Sequence, residues 1–354
     1  MGLSAAVIAA GQHDREDIVP DERPGSATDR RSARRRRARV ILITTLVAVV
    51  ATIGLIVLAL RPTDDTTARA TGDEAGLRVV ATTNFLTDTV RRIGGEHVDV
   101  AGLMGPGVDP HLFQARAGHL HQLREADLVL SVGLHLEGNL QTVLDGLGDT
   151  AVVRVAESIP ESELLAAPDT EPGDGEFDPH VWFDVSLWSR VVEGIRDALV
   201  AEDPERATAY RDAADEYLVE LADLDEEVRD RLAEIPEQRR VLVTSHDAFR
   251  YLGRAYDVQV EAIQGISTVD EATTADIDRV AALIAERGVR AVFVESSVSG
   301  QSLEAVLAAA GSRGAEVTVG GELFSDAAGA EGTPEGTYVG MVRANVDQLV
   351  EGLR

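Results

Sequence analysis

Residues 77–103 read LRVVATTNFLTDTVRRIGGEHVDVAGL. Arg78–Thr82 is a short β-branched run, a helical period begins near Phe85, and a second β-branched run follows at Val98–Leu103. Strand, helix and strand in succession make a βαβ unit, and a chain of such units builds a parallel sheet covered by helices. The pattern continues with strands at Leu128–Val132 and Val152–Val155 and helices from near Ala115 and Glu137, enough for one α/β lobe. A second set follows, with strands near Val241–Thr244, Val258–Ala262, Ala291–Val294 and Glu316–Val319 and helices after His246, Asp270, Ser302 and Thr337.

Between the two sets, Pro204–Ile235 places Tyr210, Ala214, Tyr217, Leu218, Leu221, Leu224, Val228 and Leu232 mostly three and four apart. That stripe predicts one long amphipathic helix. A coiled coil would need a sustained heptad seam, which the segment lacks. The expected fold class is α/β: two α/β lobes with parallel sheets, at 77–199 and 239–354, joined by a long helix within 200–238. A helical joint limits opening more than flexible strands would.

Ahead of the lobes, Val40–Leu60 is an uncharged apolar run long enough for about 30 Å of hydrocarbon. Arg30, Arg31, Arg34, Arg35, Arg36, Arg37 and Arg39 precede it, so the positive-inside rule places residues 1–39 in the cytoplasm and the lobes outside. A cleaved signal peptide is the competing reading, but its apolar region is typically shorter. The expectation is therefore a disordered Arg-rich tail at 1–39, a membrane anchor at 40–60 and a stalk at 61–76.

The chain has 354 residues, a net charge of −28 and no cysteine. The acidic balance lies beyond the anchor and argues against nucleic acid, which needs a basic footprint. Without cysteine there is no disulfide, no thiolate metal site and no lipid-modified N-terminal cysteine. Any metal must be held by His, Asp, Glu or backbone oxygen.

Of eight histidines, His13 falls in the tail and His97 at a turn; His119 and His121, two apart on a helix, face different ways. His135 opens a helix as a capping residue would. His111 and His180 differ, because each ends the tripeptide Asp-Pro-His, at 109–111 and 178–180. Proline fixes the backbone before the imidazole, and Asp109 and Asp178 are placed to orient the loop or ring. His246 follows a strand, where open α/β sheets put ligand contacts. Asp326, in a Gly-rich loop after the last strand, is a further oxygen donor.

These segments together resemble a known family, the TroA-like solute-binding proteins of zinc and manganese ABC importers. The likeness spans residues 77–354 and rests on GPGVDPHLFQARAGHLHQLREADLVLSVGLHLE (105–137), FDPHVWFDV (177–185), VLVTSHDAFRYLGRAYDVQ (241–259), VFVESSVS (292–299) and GELFSDAAG (321–329). It implies a Zn²⁺ or Mn²⁺ cargo held between the lobes by His111, His180, His246 and Asp326; Glu295, ending the strand in VFVES, reads either as a support to that site or as an ordinary polar strand end. It also implies an ABC permease and its ATPase as partners; the membrane anchor at residues 40–60 is a departure from the family, many of whose members have a signal peptide or a lipid-modified cysteine instead. Three imidazoles and one carboxylate suit zinc over manganese. A surface adhesin on the same scaffold is one alternative. A zinc hydrolase is another, but catalytic zinc keeps an open position that four protein ligands would fill, and no HExxH or GxSxG motif occurs.

Overall fold

The structure, a computed structural model, describes residues 76–168 and 177–354. The tail, the apolar run at 40–60 and nearly all of the stalk lie outside the described residues, so the fold does not bear on the expected anchor. No helix among the described residues is long and apolar enough to cross a membrane.

Strands β1 (Leu77–Ala81), β2 (Val98–Gly102), β3 (Leu128–Ser131) and β4 (Ala151–Arg154) form one parallel sheet in the order β2-β1-β3-β4. Connecting them are α1 (Asn84–Gly94), α2 (Ala117–Glu125) and the short α3 (Gln141–Asp145). Helices cover both faces of this sheet, which is why its central strands read as nearly continuous apolar runs. Val79, Ala81, Leu128 and Leu130 enter the main core, whereas Val80 and Val129 pack with Leu123 and Leu144 on the other side.

The chain then forms α4 (Val185–Glu202) and α5 (Ala207–Ala233). The second helix carries the expected stripe, with Tyr210, Ala214, Tyr217, Leu221, Leu224, Val228 and Leu232 buried. The first is an element that the sequence reading did not separate. Its N-cap is Asp184, which accepts from the main-chain N–H groups of Ser186 and Leu187.

Next come β5 (Val241–Thr244), α6 (Arg250–Tyr256), β6 (Gln259–Ala262), α7 (Thr274–Arg287), β7 (Ala291–Glu295), α8 (Gln301–Ser312), β8 (Thr318–Leu323) and α9 (Tyr338–Leu353). The strands pair in parallel as β5 with β6 and β7 with β8. The last strand begins later than Glu316. Val317, a β-branched residue expected inside it, instead packs on the satellite core beside α7 and α8.

One apolar core runs through the whole assembly. It includes Val79 and Leu130 of the first sheet, Trp188 of α4, Leu221 of α5, Leu242 of β5, Phe293 of β7 and Leu349 of α9. Close packing of this kind resists wide separation of the two strand sets.

Candidate metal centre

In open parallel sheets, ligands bind outside the carboxyl ends of the strands, and four of the segments that build this site leave such ends. The loop after β2 carries His111, the turn after β5 carries His246, β7 ends on Glu295, and the loop after β8 carries Asp326. His180 comes from the irregular segment ahead of α4. All four candidate donors are buried.

The two Asp-Pro-His turns do the same work on the backbone. Asp109 Oδ1 accepts from the His111 N–H at 2.8 Å, and Asp178 Oδ1 accepts from the His180 N–H at 3.0 Å. The proline between them presets the turn. Only the second aspartate also holds its ring, with Asp178 Oδ1 2.8 Å from His180 Nδ1. Asp109 turns its other oxygen away, to accept from the Thr268 hydroxyl at 2.6 Å.

Glu295 does for His246 what Asp178 does for His180. Its Oε1 accepts from the N–H groups of Ser245 and His246 at 2.7 and 2.9 Å, and its Oε2 accepts from His246 Nδ1. A ring held through Nδ1 directs Nε2 inward, the arrangement found around ligating histidines. His246 lies in a turn, with the next helix starting only at Arg250, so it does not open a helix.

Asp326 is placed by main-chain contacts on either side. The Trp182 indole N–H donates to the Ser325 carbonyl at 3.0 Å. Asn84, at the start of α1, grips Ala328: its Oδ1 accepts from the Ala328 N–H and its Nδ2 donates to the Ala328 carbonyl, each at 2.8 Å.

One donor atom from each of His111, His180, His246 and Asp326 lies within 4.8 Å of all the others. His180 Nε2 is 3.4 Å from Asp326 Oδ1, and His246 Nε2 is 3.3 Å from Asp326 Oδ2. A tetrahedral ion with bonds of about 2.0–2.1 Å spaces its donors roughly 3.3–3.4 Å apart, so each of these two imidazoles stands at that spacing from one of the two Asp326 oxygens. The three Nε2 atoms and Asp326 Oδ1 are buried without a hydrogen-bond partner. Unsatisfied buried polar groups are costly, and four converging on one point are resolved together by a cation.

Electrostatics separate the histidines. Burial, helped by the neighbouring His180 and His246 and opposed by Asp326 and Asp178, pushes the His111 imidazole down to about 3, so it is neutral. Burial opposes charge on His180 and His246 as well, but the carboxylates outweigh it. Asp178 and Asp326 raise His180, and Glu295 and Asp326 raise His246 well above the ordinary value. Asp326 is held well below the usual carboxylate range: burial raises it, and His246 and His180 overcome that.

The remaining described histidines stay apart from this cluster. His97 packs edge-on to Tyr210, and His119 lies on the Phe113 ring with its Nδ1 accepting from the Arg116 N–H. His121 is exposed. His135 does not cap a helix, because it sits at φ 65° in a left-handed turn after Gly133. His13 lies outside the described residues.

Glu137, expected only as the start of a helix, has a further structural task. Fully buried, it accepts from Thr82 Oγ1 and from the N–H groups of Val132 and Gly133. Burial raises its carboxyl above the usual value. It braces the turn whose next residue, Gly138, touches the His111 carbonyl so closely that a Cβ there would lie 2.7 Å from the oxygen. Neither Glu137 nor Asn84 belongs to a spacing pattern, so only their contacts identify them.

Comparison with known proteins places the chain among metal-binding proteins. The family model described as zinc-uptake complex component A, periplasmic (ZnuA), matches residues 79–352. The manganese-binding lipoprotein MntA of Bacillus subtilis is 45% identical over 280 residues, covering 78% of this chain and 90% of that protein. The zinc-binding protein TroA of Treponema pallidum is 46% identical over 276 residues, covering 78% and 88%. The solved structure of the periplasmic zinc-binding TroA from Treponema pallidum superimposes with a TM-score of 0.76, covering 79% of this chain and 99% of its own. The chain therefore belongs to the ZnuA family of zinc-uptake component A proteins, the substrate-binding subunits of metal ABC importers, which bind cargo and are not enzymes.

Proposed function

We propose that this protein captures one divalent transition-metal ion, with zinc favoured and manganese the alternative, and delivers it to an ABC permease driven by its ATPase. His111, His180, His246 and Asp326 hold the ion; Asp178 and Glu295 orient two of the rings, and Asp109 sets the His111 turn. The observation that carries this reading is the convergence of four buried, unpartnered donor atoms within 4.8 Å. Segments 77–199 and 239–354 act as the two metal-binding lobes, with 200–238 as the joint between them.

The MntA relatives are named lipoproteins, whereas this chain has no cysteine to carry a lipid. The apolar run Val40–Leu60 takes that role, anchoring the lobes at the outer face of the membrane with the arginines inside. Protease added to intact cells then releases the lobes by cutting within 61–76. Lobes that stay protected, or a mature chain beginning after residue 60, would rule the anchor out.

Metal analysis of the purified full-length chain tests the function itself. One zinc per chain is expected, with most of the affinity lost in each of His111→Ala, His180→Ala and Asp326→Ala. A wild-type chain that takes up no stoichiometric zinc or manganese would refute the reading.

A further inference from the structure

The three histidines are not held equally. His180 and His246 each have a carboxylate on the ring and a second bond from that carboxylate to the backbone. Their surroundings are also tied down, since the Tyr251 hydroxyl donates to the Asp178 carbonyl at 2.9 Å and Asn84 clamps the loop that bears Asp326. His111 has the turn made by Asp109 and the close approach of Gly138 to its carbonyl, but no carboxylate bonded to its ring among the described residues. The far oxygen of that aspartate reaches one group from the opposite strand set, the Thr268 hydroxyl.

Thr268 stands on the loop after β6, between Gly265 and Val269, and Val269 is 61% exposed. The base of this loop is bonded to the turn that carries His246: Gln264 N–H donates to the Ser245 carbonyl at 2.9 Å, and Asp247 N–H donates to the Gly265 carbonyl at 3.2 Å. These hydrogen bonds and the backbone of residues 264–268 therefore connect the His246 turn to Asp109 and the N–H of His111. An ion that draws His111 and His246 together favours this chain of bonds, and the bonds hold His111 where the ion needs it.

We infer that Thr268 is a positioning residue that latches the His111 turn over the bound metal and so sets the rate of its release. The inference rests on the proposed metal site and adds to it a residue that does not itself touch the ion. A hydroxyl bonded to a carboxylate is a charge-assisted contact, stronger than a neutral one. Its loss should speed release by roughly 10- to 100-fold, because His111 is the donor least held by anything else. Association should change little, since the other three donors remain in place.

The test uses the full-length chain loaded with Zn²⁺, with transfer to an excess of a chromophoric chelator followed by stopped flow. Thr268→Val removes the hydroxyl and keeps the shape; Thr268→Ser keeps the hydroxyl. The latch predicts fast release from the Val variant and near wild-type release from the Ser variant, with both variants folded and loading one zinc per chain. Val and wild-type chains releasing zinc at the same rate would overturn it. So would a Ser variant that releases zinc as fast as the Val variant, which would show that the hydroxyl does not hold the His111 turn. Failure of the metal site itself would show differently, as a wild-type chain that never loads.

Discussion

Glu295→Gln isolates orientation from ligation, because it changes neither a donor nor the size of the side chain. Oε1 can keep both main-chain bonds, to Ser245 N at 2.7 Å and His246 N at 2.9 Å. The second position becomes an NH₂ facing His246 Nδ1, where the native oxygen accepts a proton. Two donors cannot face each other, so the ring must carry its proton on Nε2. That atom lies 3.3 Å from Asp326 Oδ2, so the misplaced proton blocks one ligand and bonds to another. Loss of an orienting carboxylate typically costs 10- to 100-fold in metal affinity, about 1.4–2.7 kcal/mol. Competition of the variant against a chelator of known zinc affinity measures the loss, and Asp178→Asn should behave alike through His180. An unchanged dissociation constant in a folded Glu295→Gln protein would show that the carboxylate does not control the tautomer.

Other substitutions and conditions test the same arrangement. His119→Ala and His121→Ala should leave zinc affinity within about twofold of wild type, because surface changes away from a site rarely exceed about 0.5 kcal/mol; equilibrium titration would expose either as a ligand. His246→Glu should weaken zinc more than manganese, since a second carboxylate suits the harder ion, and calorimetry with both metals would reveal an unchanged ratio if His246 did not ligate. Because His180 and His246 are raised in the metal-free protein, their contribution to its stability is complete below about pH 6.5 and is lost as pH rises through their folded values. Metal binding runs the other way. It must displace those protons, so affinity should climb with pH, with about two protons released per ion near pH 6.5; calorimetry in buffers of different ionisation enthalpy counts them.

Much of this was legible in the sequence because it repeats a period or a word. The βαβ alternation located β1–β3 and the long helix, whose stripe of Tyr210 to Leu232 is buried as the spacing requires. The repeated Asp-Pro-His marks two of the four side chains that converge in the structure. Helix α4 was harder to separate, since Val185, Leu187, Trp188, Val191 and Val192 are buried on a broad face with only a short break before α5. Glu137, Asn84 and Thr268 were out of reach for a different reason. Each acts on a backbone or side chain distant in sequence, Asn84 on Ala328 and Thr268 on Asp109, and no local pattern encodes such a pairing.

The charges of the cluster explain why its cargo should be divalent. Three carboxylates touch the rings directly: Asp326 faces His180 and His246, Asp178 holds His180, and Glu295 holds His246. In the metal-free protein His180 and His246 are pushed toward their cationic forms, while His111 stays neutral. Two positive charges then sit among three negative ones, and Arg250, 3.4 Å from Asp178 Oδ2, offsets part of the remainder. A divalent ion that enters as both rings lose their protons leaves that total unchanged. A monovalent ion would leave one extra negative charge in a buried space, and a trivalent ion one extra positive charge, each expensive in low dielectric. Charge therefore selects two plus without distinguishing zinc from manganese, and relatives of similar identity are named for each metal. The distinction falls to the donors, where three imidazole nitrogens against one carboxylate favour zinc. The number of protons released should consequently be the same for both metals, while the affinity differs.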